Sequence, residues 1–243
     1  MPKAEERKGN IKGIVVPHAG YIYSGYVAAH AYYELAKDFP DKFIILGPNH
    51  HGYGSPVAIM TEGTWETPLG NVEIHEDAKK YCKGIIKEDE LAHRYEHSLE
   101  VQIPFLQFIG KEFKIIPICF GWQDYETIKE VGEILAENED AVFVASTDFS
   151  HVSFSKFPSQ KDIKENVEKK DRMAIEEILN LNARGLIKKV EEHNITMCGY
   201  GAVGAMLEAL KGKAKKARLL KYATSYEVEP STYCVGYAAI IIE

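Results

Sequence analysis

Three short apolar runs of this chain end alike, at a proline or small polar residue that is followed within a few positions by a histidine. The runs are residues 14–16, 43–46 and 141–145, and the histidines are His18, His50 and His151. Short runs rich in β-branched and aromatic residues are typical of strands buried on both faces. If these strands are parallel, their carboxyl ends share one edge of a sheet, where open α/β proteins bind ligands. The pattern therefore predicts that histidines distant in sequence meet at one edge.

The order of the elements predicts an α/β fold. A helix is expected at residues 26–38, between the first strand and a second strand at residues 42–47, which is the arrangement of a parallel β-α-β unit. Two alternating runs at residues 218–227 and 232–242 predict an antiparallel pair that closes the sheet. We expect a mixed, mostly parallel central sheet with helices on both faces.

Two stretches in the middle of the chain combine apolar patterning with a proline. Residues 93–110 are predicted to form a helix with His93, His97 and Glu100 near one face, in which Pro104 either makes a kink or starts a second helix. Residues 113–120 are predicted to form a buried strand. Pro117 within that strand indicates a sheet edge or an irregularity, because proline has no N–H group to donate.

The composition is that of a globular protein with a sizeable core. The 243 residues are 45% hydrophobic and 27% charged, which predicts one domain over residues 1–243 with a loose lead-in at residues 1–10. The net charge is −7 and no basic stripe is present, so we expect no nucleic-acid partner. No apolar run approaches the ~20 residues that span a bilayer, so we expect no membrane partner. Four widely spaced cysteines are consistent with a reducing cytosol, so we expect a cytoplasmic protein.

Imidazoles at neighbouring strand ends are candidate metal ligands, because imidazole suits iron, zinc, copper and nickel ions. A single histidine beside a loop more often hydrogen-bonds a carbonyl group, and this alternative applies to His18, His50 and His51 individually. Repetition at equivalent strand ends is what favours a joint metal site. The pattern does not choose between His50 and His51 after the second strand.

Cys198 is predicted to open a helix that runs through Leu210 and has Gly199, Gly201 and Gly204 near its start. Backbone N–H groups at a helix N-terminus lower the pKa of a thiol, so Cys198 is expected to be a thiolate that binds a metal or acts as a nucleophile. The alternative is a small buried hydrophobe. Asp148 and His151 form either an acid–base pair or a helix-capping aspartate followed by a surface histidine.

Five motifs of this chain resemble, in the same order, motifs of the Memo family. They are Pro-His-Ala-Gly-Tyr at 17–21, Leu-Gly-Pro-Asn-His-His at 46–51, Glu-His-Ser-Leu-Glu at 96–100, Asp-Phe-Ser-His at 148–151 and Cys-Gly at 198–199. The resemblance covers nearly the whole chain. The family in turn resembles the catalytic subunit of class III extradiol ring-cleaving dioxygenases, which are non-haem Fe(II) enzymes with an α/β/α fold.

The resemblance implies a set of site residues. His18, His50 and Cys198 become the metal ligands, and Asp148, His151 and His97 become acid–base or pocket residues beside the metal. Extradiol dioxygenases hold iron with two histidines and a carboxylate.

Cys198 therefore stands where a carboxylate is expected, which favours iron or copper redox chemistry over ring cleavage. Fe(II) is the first expectation, with copper or zinc as alternatives. A small molecule or peptide is expected in the pocket, and a protein partner is a further expectation.

Two other functions are consistent with the same residues. One is a non-catalytic module that binds peptides or proteins, of the phosphotyrosine type, with a vestigial dioxygenase site. The other is a Cys/His hydrolase with Cys198 as nucleophile and His151 as base.

Overall fold

The computed structural model of the chain describes residues 11–110 and 112–243. The lead-in expected at residues 1–10 lies outside this part. The described part contains eleven strands: β1 (Gly13–Val16), β2 (Lys42–Pro48), β3 (Val57–Ile59), β4 (Thr64–Thr67), β5 (Gly70–Glu73), β6 (Ile86–Glu88), β7 (Lys114–Phe120), β8 (Val142–Ser146), β9 (His151–Ser153), β10 (Ala217–Thr224) and β11 (Tyr233–Ile242). It also contains eight α-helices: α1 (Tyr21–Leu35), α2 (Ala78–Tyr81), α3 (Ile103–Ile109), α4 (Tyr125–Leu135), α5 (Gln160–Ile163), α6 (Lys169–Leu179), α7 (Ala183–Glu192) and α8 (Tyr200–Ala209).

Nine strands form one mixed sheet with a parallel centre. The order is β10-β11-β1-β8-β2-β7-β3-β6, and β9 pairs with β11, while β4 and β5 form a separate hairpin. β1, β8, β2 and β7 run parallel to one another, and β10 and β11 form the predicted antiparallel pair. Every residue of β1, β2 and β8 is buried, because helices cover both faces of these strands. The prediction that these three strands are parallel is confirmed.

Two layers of helices flank the sheet. α1 packs against β1, β10 and β11 and contacts α3, whereas α8 packs against β2, β7 and β8 and carries α4 and α7 on its outer side. The predicted α/β fold with helices on both faces is therefore confirmed. Over residues 11–110 and 112–243, no helix is both long and apolar enough to cross a membrane.

The prediction of a helix at residues 93–110 is wrong for residues 93–99. The chain is in turns before a short 3-10 segment at Glu100–Gln102, and α3 begins only at Ile103, with Pro104 in its first turn. The carboxylate of Glu96 explains the difference, because it accepts hydrogen bonds from backbone N–H groups that a helix would use internally.

Pro117 does not mark a sheet edge, because β7 lies between β2 and β3. Ile45 of β2 is opposite Pro117. On the other side, pairing with β3 ends where Ile59 meets Ile118. The proline thus lies just beyond the stretch of β7 that β3 pairs with, where the missing N–H group removes no bond to β3.

The start of α8 approaches the end of β8 very closely. A Cβ atom added to Gly199 would lie 2.4 Å from the carbonyl oxygen of Ser146 and 2.8 Å from the Cβ atom of Thr147. Backbone cannot move aside as a flexible side chain can, so only glycine allows this contact. The contact brings the residue before Gly199, which is Cys198, to the carboxyl edge of the sheet.

We expect Gly199→Ala to lower the free energy of unfolding by about 1–3 kcal/mol, because the added methyl group overpacks this contact. Gly25→Ala is the matched control within α1, where the added Cβ atom meets only ordinary contacts of 3.6 Å and longer. That control should stabilise the protein by about 0.5–1 kcal/mol, since alanine favours a helix interior. Urea unfolding measures both, and equal effects of the two substitutions would contradict the close approach.

Candidate functional site

The carboxyl edge of the parallel strands brings together two imidazoles and a thiol. The ligand atoms of His18, His50 and Cys198 all lie within 4.8 Å of one another. Nε2 of His18 is 3.2 Å from Sγ of Cys198, and the ring centroids of His18 and His50 are 5.2 Å apart. His18 follows β1, His50 follows β2, and Cys198 precedes α8, so three separate elements build the cluster.

A buried hydrogen-bond network fixes the tautomer of His18. The hydroxyl group of Ser146 donates to the carbonyl oxygen of Ser98 at 2.6 Å and accepts from Nε2 of Gln102 at 2.8 Å. Nδ1 of His18 lies 2.9 Å from the same hydroxyl oxygen. Since the single hydroxyl proton is already used, Nδ1 must be the donor. Nε2 of His18 therefore carries a lone pair and faces the thiol.

A carboxylate fixes the tautomer of His50 in the same way. Nδ1 of His50 lies 2.8 Å from Oε1 of Glu96, and its backbone N–H group donates to Oε2 at 2.5 Å. The side chain of Glu96 is only 1% exposed. Burial raises its pKa, but the hydrogen bonds from His50 and from the N–H group of Ser98 outweigh burial and lower the pKa to about 2. An ionised carboxylate accepts the Nδ1 proton, which leaves Nε2 of His50 free as a ligand atom.

Burial sets the charge of the other two groups. It lowers the pKa of His18 to about 4, although the charge of Asp148 opposes this shift. Burial, with a contribution from the charge of Asp148, raises the pKa of the Cys198 thiol well above its usual range. The expectation of a pKa lowered by the helix N-terminus is therefore wrong, because Cys198 lies before the first residue of α8 and its sulfur is largely desolvated. The cluster presents a neutral imidazole and a protonated thiol at neutral pH.

Asp148 links the cluster to the loop after β1. Its Oδ1 atom accepts from the backbone N–H groups of His18 at 2.9 Å and of Ala19 at 3.3 Å. Its own N–H group donates to Sγ of Cys198 at 3.3 Å. A donor aimed at sulfur stabilises the thiolate that forms when a metal replaces the thiol proton.

The remaining histidines divide into near and distant groups. His97 lies beside the cluster, with ring centroids 5.0 Å from His50 and 5.5 Å from His18. His51 is exposed and stacks with Tyr53 instead, so the structure places His50 rather than His51 in the cluster.

His151 lies outside the group of three ligand atoms. Its Nδ1 atom donates to the carbonyl oxygen of Thr196 at 3.1 Å, and its ring lies 6.2 Å from that of Tyr233. His151 and Asp148 both line a cavity next to the cluster. The structure thus places these two residues at the same cavity, and no hydrogen bond joins His151 to the thiol of Cys198 or to the imidazole of His50.

The donor set suits a metal ion. In a tetrahedral zinc site the ion lies about 2.0–2.3 Å from its nitrogen and sulfur ligands, so two imidazole nitrogens and one sulfur lie about 3.3–3.6 Å apart. The group of His18, His50 and Cys198 spans no more than 4.8 Å, so small side-chain movements achieve that geometry. A second group, of His50, Glu96 and His97, satisfies the same spacing. However, Glu96 already accepts hydrogen bonds on both of its oxygens, so the first group is the better set of ligands.

Sequence reasoning missed the residues that orient the ligands, which are Ser146, Gln102 and Glu96. Ser146 was visible only as the small polar residue at which a buried strand ends. Glu96 directly precedes His97, and the helix predicted there gave its carboxylate no role. An acidic residue next to a candidate histidine is a signal that could have identified Glu96, whereas nothing in the sequence around Gln102 indicates its role.

Proteins with established family assignments are similar to this chain along its whole length. A family model described as Memo-like protein matches residues 1–241. A MEMO1 family protein of Methanococcoides burtonii is 48% identical over 242 residues, which make up 96% of this chain and 87% of that relative. A MEMO1 family protein of Methanosarcina barkeri is 45% identical over 248 residues, covering 98% of this chain and 89% of that relative. The crystal structure of the uncharacterized protein JW3007 from Escherichia coli K12 shares the fold, with a TM-score of 0.54 at 14% identity, over 96% of this chain and 100% of that one.

We expect Ser146→Ala to destabilise the protein by about 1–3 kcal/mol, because it leaves the buried Nδ1–H group of His18 without an acceptor. Ser150→Ala is the matched control, since the hydroxyl of Ser150 is also buried but has no hydrogen-bond partner among the described residues. That control should be neutral or slightly stabilising. Thermal unfolding measures both variants. Long-range ¹H–¹⁵N NMR of the imidazoles should show Nδ1–H for His18 in the wild type, and an Nε2–H wild-type tautomer would contradict the network.

Proposed function

The chain belongs to the Memo family, and we propose that it binds a redox-active metal ion through His18, His50 and Cys198. The observation that carries this proposal is the convergence of three ligand atoms within 4.8 Å. Both imidazoles are held by Nδ1 hydrogen bonds that turn Nε2 toward the centre. Fe(II) is the ion that we expect first, and copper and zinc are the alternatives.

The ligand set supports redox chemistry more than aromatic ring cleavage. Iron enzymes that activate O₂ commonly use two histidines and one carboxylate, whereas this set has the thiol of Cys198 in place of the carboxylate. A thiolate is a softer ligand that suits copper and iron centres for electron transfer. The ion would supply one-electron chemistry and an open coordination position for a small molecule.

The residues around the cluster have separate roles in this proposal. Asp148 holds the loop that carries His18 through two backbone hydrogen bonds. His151 donates from Nδ1 to a carbonyl group, so its Nε2 atom is free to accept a proton from a molecule in the adjoining cavity. His97 is half exposed beside the His50 ring and contributes a further imidazole at the entrance.

The arrangement disfavours a Cys/His hydrolase. A nucleophilic cysteine needs a lowered pKa and a base within hydrogen-bonding distance. Burial raises the pKa of Cys198, and the imidazole beside its sulfur is that of His18. The proposed base, His151, hydrogen-bonds Thr196 instead.

We expect protein purified under anaerobic conditions to contain about one metal ion per chain, as a three-ligand mononuclear site requires. Cys198→Ser and His50→Ala should each lose most of this metal, because each removes a ligand. His51→Ala is the matched control and should keep it. Elemental analysis of all four proteins gives the result and identifies the ion. Wild-type protein without stoichiometric iron, copper or zinc would end the proposal.

Metal affinity should rise with pH, because the ion must displace the proton of the Cys198 thiol. The pKa of this thiol is raised, so the proton is present throughout the neutral range and competes with the ion. His18, with its pKa lowered to about 4, is already neutral there and releases no second proton. We therefore expect about a tenfold gain in affinity per pH unit between about pH 6 and pH 8. Competition titration with a chelator measures this slope, which Cys198→Ser should flatten.

A further inference from the structure

A cavity of about 360 Å³ adjoins the metal-ligand cluster. Asp148 and Ala19, which follow β8 and His18 respectively, form the wall nearest to the cluster. His151 and residues from the turn between β10 and β11 form the other walls. This volume is at the lower end of the range for small-molecule sites, so a compact ligand suits it better than a peptide segment.

Two hydrogen-bond acceptors on the cavity wall have no donor in the described chain. Oδ1 of Asp148 takes two backbone N–H groups, whereas its Oδ2 atom has no hydrogen bond and lies 4.0 Å from Nε2 of His18. The side chain of Asp148 is only 6% exposed. His151 donates from Nδ1 to a carbonyl oxygen, so its Nε2 atom carries a lone pair. Acceptors that face a cavity in this way suit a ligand that brings N–H or O–H groups.

The charge of the cavity also favours a ligand that donates hydrogen bonds, and in particular a cationic one. Its wall carries the carboxylates of Asp148 and Glu229, and no lysine or arginine is among the described residues that line it. The hydroxyl group of Tyr23 donates to Oε2 of Glu229 at 2.6 Å, which holds this carboxylate at the cavity. A phosphate or carboxylate group would meet like charges here, whereas an ammonium group would meet opposite ones.

Aromatic rings complete the wall. Tyr23, Tyr233 and Tyr237 line the cavity, and the ring of Tyr233 is half exposed and lies 6.2 Å from the ring of His151. Flat side chains of this kind pack against a planar ligand, and their faces attract cations.

We propose that this cavity binds a small aromatic amine in its protonated form, with the ammonium group between Asp148 and Glu229. The ring lies against the tyrosines, and His151 accepts a hydrogen bond from the ligand. The ligand class follows from the cavity itself, and the relevance of the ligand to the metal centre rests on the proposed function. The same charges exclude phosphotyrosine as the natural occupant.

Three probes of similar size and different charge, together with the larger phosphotyrosine, test this proposal. Tyramine is cationic, 4-ethylphenol is neutral, 4-hydroxyphenylacetate is anionic, and phosphotyrosine adds a phosphate group. In calorimetric titrations at neutral pH of the protein as purified under anaerobic conditions, we expect tyramine to bind about tenfold more tightly than 4-ethylphenol, and both anions to bind more weakly still. Equal or tighter binding of either anion, or no preference for tyramine at millimolar concentration, overturns the proposal.

A conservative variant separates charge from shape. Glu229→Gln keeps an acceptor for the hydroxyl group of Tyr23 but removes a negative charge, so it should weaken tyramine binding about fivefold and leave 4-ethylphenol unchanged. Glu176→Gln makes the same charge change at an exposed position of α6, and should change neither. An equal loss in the two variants would show that net charge, and not the cavity, attracts the amine.

The same titration in Cys198→Ser separates this proposal from the metal proposal. The preference for tyramine should persist in this variant, because neither Asp148 nor Glu229 is lost. If wild-type protein binds no metal but prefers tyramine, the proposed function fails and the ligand class stands. If it binds metal but shows no preference among the four probes, the metal proposal stands and the ligand class is wrong.

Discussion

The buried hydroxyl group of Ser146 ties together the segments on which the candidate site depends. It lies at the end of β8, between the parallel strands β1 and β2, and contacts His18, Ser98 and Gln102. Because a hydroxyl group has one proton, its donation to the Ser98 carbonyl group makes Nδ1 of His18 a donor. The register of the sheet therefore sets the tautomer of this imidazole as well as its position.

Burial gives the cluster its chemical character. The same surroundings keep the His18 imidazole neutral and the Cys198 thiol protonated. The lone pair on Nε2 of His18 therefore faces the thiol group, with the nitrogen and the sulfur 3.2 Å apart. Neutral imidazoles and a thiol that releases its proton are the forms that metal binding uses. The N–H group of Asp148, which already points at the sulfur, would stabilise the resulting thiolate. The electrostatics of the site, and not only its geometry, support a metal ion.

The parts of the structure that could be predicted from sequence are those with a periodic or positional signal. β1, β2 and β8 were recognisable because strands buried on both faces are continuous apolar runs, and their parallel order placed His18 and His50 together. Glu96 was not recognisable, because its carboxylate binds backbone N–H groups that a helical pattern assigned elsewhere. The cavity could not be predicted either, because Glu229 lines it from the turn between β10 and β11, where the sequence has no periodic pattern. Such contacts depend on tertiary packing and leave no trace in local spacing.

A metal ion at the cluster would not reverse the charge preference of the cavity. A divalent ion contributes +2 and the Cys198 thiolate −1, so the centre with its neutral imidazoles carries about +1. The carboxylate of Asp148, whose Oδ2 atom lies 4.0 Å from Nε2 of His18, balances this charge. Glu229, which also lines the cavity, then remains as a negative charge without a lysine or arginine among the lining residues described. The cavity thus still favours an ammonium group when a metal ion is bound, because the negative charge of Glu229 is not offset.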